Sequence, residues 1–248
     1  KGVQKQHPLS VTVKKKGNRL MNSSQQPPLT IKRASHMLEA VKQFPEKSTF
    51  LFDMDGLIFD TERIFMEQLA IVMKEQGYTL TREIYAETLG LGGRPLENLM
   101  CSYFGKDYPF YEMGKKTARR VAMLSETLGL PQKPYVTETL EYLHQQKKKL
   151  AVASATKTEQ VNLYLKNAGI LSFFDAVIGG DLVSRSKPEP DLFLTALKEL
   201  ESSPESAVVL EDSENGVRAG KAAGCSVICI PDLKYPSEKI QELIDLIV

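Results

Sequence analysis

Short, continuously apolar runs alternate along this chain with stretches whose apolar residues recur at helical spacing. Five of the runs read as strands: Phe50–Phe52, Leu150–Ala153, Ala176–Ile178, Val208–Leu210 and Val227–Ile230. Runs that are apolar at every position, rather than at alternate ones, suit strands buried on both faces of a parallel sheet. Between the last four runs lie amphipathic stretches. Val161, Leu165 and Ala168 share one helical stripe, and Phe193, Ala196, Leu197 and Leu200 share another, with Pro190 and Asp191 at its start as first-turn residues. From residue 46 onward this alternation predicts an α/β fold with a Rossmann-like parallel sheet as its core.

One interval breaks the rhythm. About a hundred residues separate the first strand from the second, far more than a single crossover helix needs. The interval reads as helical, with stripes at Phe65, Leu69, Val72 and Met73, at Leu96, Leu99 and Met100, and at Val121, Leu124 and Leu128. Glycine-bearing turns at Gly77, Gly90-Leu91-Gly92-Gly93 and Gly129 divide them, and Pro131 and Pro134 mark the return. The expected organisation is an α/β core at 46–64 and 132–248 with a helical cap inserted at 65–131. A cap beside a strand end can open to admit a substrate and close to exclude water.

Charge changes the picture at one end only. Residues 1–36 carry Lys1, Lys5, Lys14, Lys15, Lys16, Arg19, Lys32 and Arg33 and no acid. With those set aside, the 32 Lys and Arg of the chain fall to 24 against 31 Asp and Glu, so the body is net −7. Such a body repels nucleic acid over a broad surface. The segment 1–45 is expected to be a basic, disordered tail or an appended extension, with His36-Met37 as a junction and Met37-Leu38-Glu39-Ala40 as a natural start. No apolar stretch approaches 18 residues, so no membrane span is expected, and nothing implies an obligate protein partner. Cys101, Cys225 and Cys229 form no framework, and Cys225 and Cys229 flank a strand-like run as small hydrophobes would. A cytoplasmic location fits that usage.

The candidate chemistry sits where the strands end. Phe50–Phe52 runs into Asp53-Met54-Asp55-Gly56, two carboxylates and a glycine at the edge where parallel sheets bind ligands. Leu150–Ala153 runs into Ser154-Ala155-Thr156, a hydroxyl and backbone amides heading a helix, which suits an anion. Beyond Ala176–Ile178 comes Ser186-Lys187-Pro188, and after Val208–Leu210 comes Glu211-Asp212-Ser213-Glu214-Asn215-Gly216. Taken singly each has an ordinary explanation: a helix cap, a solvated lysine, an acidic turn.

In this order the four motifs resemble those of the haloacid dehalogenase-like superfamily, over residues 48 to about 232. The segments from Phe52 to Glu62 and from Leu210 to Val217 are most similar to its subgroup of phosphatases and β-phosphoglucomutases with a helical cap after the first motif. The resemblance implies that Asp53 is the nucleophile, forming an aspartyl-phosphate, and that Asp55 is the general acid and base. It implies Mg²⁺ held by Asp53, the Asp55 carbonyl and Asp212, with Glu211 supporting or joining them. Ser154 and the amides of Met54 and Ala155 would grip phosphate oxygens, and Lys187 would balance the charge of phosphate and Asp53. The implied activity is hydrolysis of a small phosphorylated metabolite, a sugar phosphate or nucleotide-derived monophosphate. A sugar phosphomutase is the alternative, and a non-catalytic binding protein on the same scaffold a remote one. β-Phosphoglucomutases carry a His and a Lys in the cap where this chain has Phe65 and Leu89; Arg94, in the loop Gly92-Gly93-Arg94-Pro95, is the remaining candidate for contacting substrate there. That tilts the expectation to hydrolysis. Lys115, Lys116, Arg119 and Arg120 read as the wet face of a cap helix.

Overall fold

The computed structural model describes residues 36–248. Five parallel strands form where the apolar runs predict them: β1 (Thr49–Phe52), β2 (Lys149–Ala153), β3 (Ala176–Ile178), β4 (Ala207–Glu211) and β5 (Ser226–Cys229). A sixth, β6 (Leu246–Ile247), pairs with β5 and has too short an apolar run to stand out in the sequence. The strand order is β3-β2-β1-β4-β5-β6. β1 is therefore central, with Phe50 in register with Leu150 on one side and Val208 on the other.

Successive residues of each strand point to opposite faces, which explains why every position is apolar. Phe50, Phe52, Leu150, Val152, Val208, Leu210 and Ile228 pack on one face. They are covered by α1 (His36–Val41), α6 (Val136–Gln145) and α7 (Thr158–Asn167). Leu51, Ala151, Ala153, Val209, Val227 and Cys229 pack on the other, under α8 (Asp191–Glu199), α9 (Glu214–Ala222) and α10 (Glu238–Gln241). Each fully buried Phe or Leu of these layers contributes about 1.5–3 kcal/mol. Cys225 and Cys229 are buried, and burial lifts the Cys225 thiol to about 11, so it serves as packing.

The expected tail needs a correction at its C-terminal end. Met37, Ala40 and Val41 of α1 are buried against α6, so residues from 37 belong to the fold. The three apolar positions on one turn-and-a-half give this segment a core face that the surrounding polar sequence masks. The expectations for residues 1–35 lie outside the described residues.

The long interval folds as four helices: α2 (Thr61–Glu75), α3 (Arg82–Thr88), α4 (Gly93–Phe104) and α5 (Phe110–Leu128). They share a core of their own, built from Leu69, Val72, Met73, Tyr85, Met100, Tyr108 and Met113. α5 uses the expected stripe only in part, with Val121 and Leu124 half-buried. Its buried residues are Met113, Thr117 and Ser125, while Leu128 is exposed. Thr117 and Ser125 return their hydroxyls to the carbonyls of Met113 and Val121, which lets small polar residues face α2 without unpaired groups. The first cap helix begins at Thr61, four residues before the expected boundary.

Two connecting segments join cap to core and pair with each other. Lys133 N donates to the Ile58 carbonyl at 2.8 Å, and Asp60 N to the Pro131 carbonyl at 3.0 Å. The Lys133 ammonium lies 3.0 Å from Asp60 and 2.6 Å from Asp232, tying both connections to the loop beyond β5. Among the described residues no helix is long and apolar enough to cross a membrane.

Candidate active site

β1 places Asp53 and Asp55 at the C-terminal edge of the sheet. Asp53 N is still paired with the Leu210 carbonyl at 3.0 Å, and the chain then folds back, with Ile58 N on the Met54 carbonyl at 2.9 Å. Gly56 makes this turn with φ of +79°. A Cβ there would lie 2.2 Å from Asp212 Oδ2, so only glycine allows the loops after β1 and β4 to meet.

The two aspartates face different partners. Asp53, buried, forms an ion pair with Lys187. Asp55 accepts hydrogen bonds from Thr156 Oγ1 at 3.0 Å and from Ser154 Oγ at 3.4 Å. Ser154 is itself buried, and its Oγ accepts from Thr156 N at 3.0 Å. Among the described residues the backbone amides of Met54 and Ala155 donate to no carbonyl, which leaves them for an anion. The Met54 side chain is buried in the core, so its amide is what it offers to the site.

Lys187 lies between two carboxylates, with Glu211 Oε1 at 2.6 Å and Asp53. Burial alone would lower its pKa, but Asp53 and Glu211 reverse that and carry the ammonium above the ordinary lysine range. Glu211 is fully buried at the end of β4. Its Oε2 accepts from Asp212 N and Ser213 N, both at 3.1 Å, and from Ser213 Oγ at 3.0 Å. Gly216 makes room for it, since a Cβ there would sit 1.8 Å from the carboxyl carbon. Glu211 is thus engaged at both oxygens, an arrangement that positions Lys187 and the loop after β4.

Asp53, Asp212 and Glu211 each bring a carboxylate oxygen to within 4.8 Å of the others. Desolvation and the neighbouring carboxylates push Asp53 up to about 8, despite Lys187, and hold Asp212 well above the carboxylate range. A hard, oxygen-seeking divalent cation relieves that repulsion, and the all-oxygen donor set fits Mg²⁺.

Above the strand ends a cavity of about 430 Å³ lies between core and cap. Asp55, Thr156, Gln160 and Tyr164 line it from the core, and Phe65, Leu89 and Leu96 from the cap. Glu62 also lines it, with Oε2 accepting from the Tyr85 hydroxyl at 2.7 Å. Burial raises the Glu62 pKa while that hydrogen bond counters it, and the Tyr85 hydroxyl is raised by burial and by Glu62.

The structure therefore brings together Asp53, Asp55, Ser154, Lys187, Glu211 and Asp212, with Met54 and Ala155 beside them. It does not bring Arg94, Gly92 or Gly93 to the cavity. All three are exposed at the start of α4, outside the cavity lining, while the preceding residues Leu89–Leu91 form the wall. Thr156, Glu62, Tyr85 and Gln160 escaped the sequence reading. Only Thr156, two residues past Ser154 in the same motif, carried a signal that could have found it.

A family model for haloacid dehalogenase-like hydrolases matches residues 50–230. The chain belongs to that family. It is 33% identical over 175 residues to a phosphorylated carbohydrates phosphatase of Thermotoga maritima, covering 70% of this chain and 80% of that protein. It is 29% identical over 195 residues to a probable pseudouridine-5'-phosphatase of Drosophila melanogaster, covering 76% and 84%. The crystal structure of CbbY from Rhodobacter sphaeroides in complex with phosphate matches with a TM-score of 0.64 at 27% identity, over 82% of this chain and 93% of that one. The protein is an enzyme of this hydrolase family, and its neighbours in sequence and fold are β-phosphoglucomutase-like phosphatases.

Proposed function

We propose that this haloacid dehalogenase-like hydrolase is a Mg²⁺-dependent phosphatase that cleaves a small sugar phosphate or nucleotide-derived monophosphate through an aspartyl-phosphate. The observation that carries the reading is the division of labour between Asp53 and Asp55. One carboxylate lies on Lys187 in the acidic cluster, and the other is held by two hydroxyls at the mouth of the cavity.

An Asp53 oxygen attacks phosphorus, and the bond from phosphorus to the leaving oxygen breaks as Asp55 donates its proton to that oxygen. Asp55 then takes a proton from water, whose oxygen attacks phosphorus. The bond from phosphorus to Asp53 breaks, releasing inorganic phosphate and restoring both aspartates. Lys187, the Ser154 hydroxyl and the amides of Met54 and Ala155 meet the phosphoryl oxygens, where positioning and charge balance supply most of the catalysis. Asp53, Asp212 and the Asp55 carbonyl would hold Mg²⁺, which when bound would supply positive charge against the phosphoryl oxygens. Glu211 acts through Lys187 and the loop it braces.

Hydrolysis is favoured over phosphoryl isomerisation because Phe65 and Leu89 wall the cavity where a second phosphate would need cations. The test is release of inorganic phosphate from a panel of sugar and nucleoside monophosphates with Mg²⁺, abolished by chelator, together with mass-spectrometric detection of a phosphoryl adduct on Asp53 after rapid quench. Unchanged turnover in excess chelator, or an adduct on another residue, would contradict the mechanism.

A further inference from the structure

We infer that the cavity between cap and core selects monophosphate esters whose leaving group is uncharged, with Glu62, fixed by Tyr85, acting as a charge filter against a second anion. The inference rests on the phosphatase reading and specifies which esters that site takes.

The cavity must hold whatever the phosphoryl group is attached to, since Asp55 and Thr156 are part of its lining. Its volume of about 430 Å³ lies in the ~300–1,000 Å³ range of small-molecule sites. Phe65, Leu69, Leu89, Leu96 and Met100 give it an apolar wall. Among the described residues no lysine, arginine or histidine lines it. Its neutral polar groups, such as Thr88 and Gln160, can hydrogen-bond hydroxyls or carbonyls, and its charged groups are Asp55 and Glu62.

Two cations beside the site are already committed. Lys187 is shared by Asp53 and Glu211, and Lys133 by Asp60 and Asp232. Lys234 lies in an adjoining cavity of about 280 Å³ and donates to the Leu89 carbonyl at 3.3 Å. That second cavity is no better for an anion, because Glu62, Asp212, Glu214 and Asp232 surround the one lysine. A carboxylate or second phosphate on the leaving group would lose its water shell with no cation to meet it, beside a carboxylate of like sign. The Tyr85 hydroxyl at 2.7 Å keeps Glu62 in place, so the side chain cannot swing aside to relieve the repulsion without breaking that bond.

The experiment uses matched esters that differ by one anion: glucose 6-phosphate against 6-phosphogluconate, and fructose 6-phosphate against fructose 1,6-bisphosphate. kcat/KM is read from phosphate release at saturating Mg²⁺, with p-nitrophenyl phosphate as a generic ester. The neutral member of each pair is expected to be preferred by about tenfold or more, the scale of one unpaired like-charge contact in a partly buried site. Glu62→Gln retains an acceptor for Tyr85 and removes the charge, and should raise kcat/KM for the anionic member relative to its neutral partner by about fivefold or more. Equal or inverted preference in the native enzyme, with the generic ester turned over normally, overturns the charge filter and leaves the phosphatase reading standing. A native preference that Glu62→Gln does not narrow overturns the role of Glu62. No phosphate from any ester, the generic one included, overturns the phosphatase reading and this inference with it.

Discussion

At the C-terminal edge of the sheet, Asp53, Lys187 and Glu211 are buried in direct contact, with Asp212 completing a carboxylate cluster. In the adjoining cap cavity, Phe65, Leu89 and Met100 form the wall, and among the described lining residues the charged groups are Asp55 and Glu62, with no cation. The first region is over-determined. Asp53 and Glu211, from two strand ends, are both held by Lys187 from a third, so removing Lys187 leaves buried charge uncompensated. The second is held by packing, and one side chain can be exchanged at the cost of a contact. Phosphoryl transfer needs the first kind of construction, because its transition state demands fixed charges. Choice of leaving group needs only the second, an apolar wall carrying one fixed charge at Glu62.

The sharpest way to break this contrast is at Asp53. Asp53→Asn should reduce turnover by about 10³-fold or more, since an amide cannot replace the carboxylate as nucleophile. The cap cavity is untouched, so product alcohols should bind the variant as they bind the native enzyme. Residual activity above a percent, measured by phosphate release, would mean that water attacks phosphorus directly.

Lys187 tests whether the cluster is held together as the distances imply. Lys187→Met should cost about 100-fold or more in kcat/KM through lost charge stabilisation. In chelator it should also destabilise the fold by about 3–5 kcal/mol, because Asp53 and Glu211 would be left buried without their cation. Denaturant titration reads the second effect. A leucine-to-alanine change in the cap wall, such as Leu96→Ala, should alter KM while leaving most of kcat.

These differences in construction also decided what could be read in the sequence. The strand-end residues were legible because a central strand announces itself by an unbroken apolar run, and polar residues just past its end have few places to go. Thus Asp53, Ser154, Lys187 and Glu211 met as expected from four separate segments. The cap gave only helical periodicity, which says that a face is buried but not against what. Thr117 and Ser125 are buried in α5 more deeply than Val121 and Leu124 of the expected stripe because their hydroxyls bond back to their own helix, a solution invisible to hydrophobic pattern. Arg94 was singled out because cationic groups stand out in a list of residues, yet the turn at Gly90 puts Leu89 and the exposed Leu91 on the cavity wall and leaves Arg94 in solvent. The partnership of Glu62 with Tyr85 spans two helices and has no local signature.

A smaller effect links metal, proton and stability. Desolvation and like charge raise Asp53 from 3.8 to about 8 in the fold, and Asp212 moves the same way. A carboxyl whose folded pKa is raised stabilises fully below its unfolded pKa, and that contribution is lost as pH climbs through the folded pKa. Lys187 stays protonated in both states across this window and does not offset it. The metal-free enzyme should therefore lose thermal stability between about pH 4 and pH 8. Mg²⁺ competes with those protons, so its stabilisation should grow over the same interval, reaching several °C at pH 8 and fading near pH 5. Calorimetric Tm values with and without Mg²⁺ check the sign. A Mg²⁺ effect independent of pH would place the ion elsewhere.

The smallest expected effect bears most directly on hydrolysis against isomerisation. A phosphomutase must grip a second phosphate in its cap while the bisphosphate turns around, and Arg94 is the cap cation that the sequence offers for this. In the structure it is exposed at the start of α4, away from the cavity wall. Arg94→Ala should then change kcat/KM by no more than about twofold for any monophosphate, the ordinary scale of a surface substitution. Incubation of the native enzyme with β-glucose 1-phosphate, Mg²⁺ and a trace of glucose bisphosphate should yield inorganic phosphate and no glucose 6-phosphate above background. Rapid formation of glucose 6-phosphate, together with its collapse in Arg94→Ala, would show that the cap rotates Arg94 into the cavity during turnover. The cap would then carry a charge grip as demanding as the cluster beneath it, and the contrast between the two regions would not survive turnover.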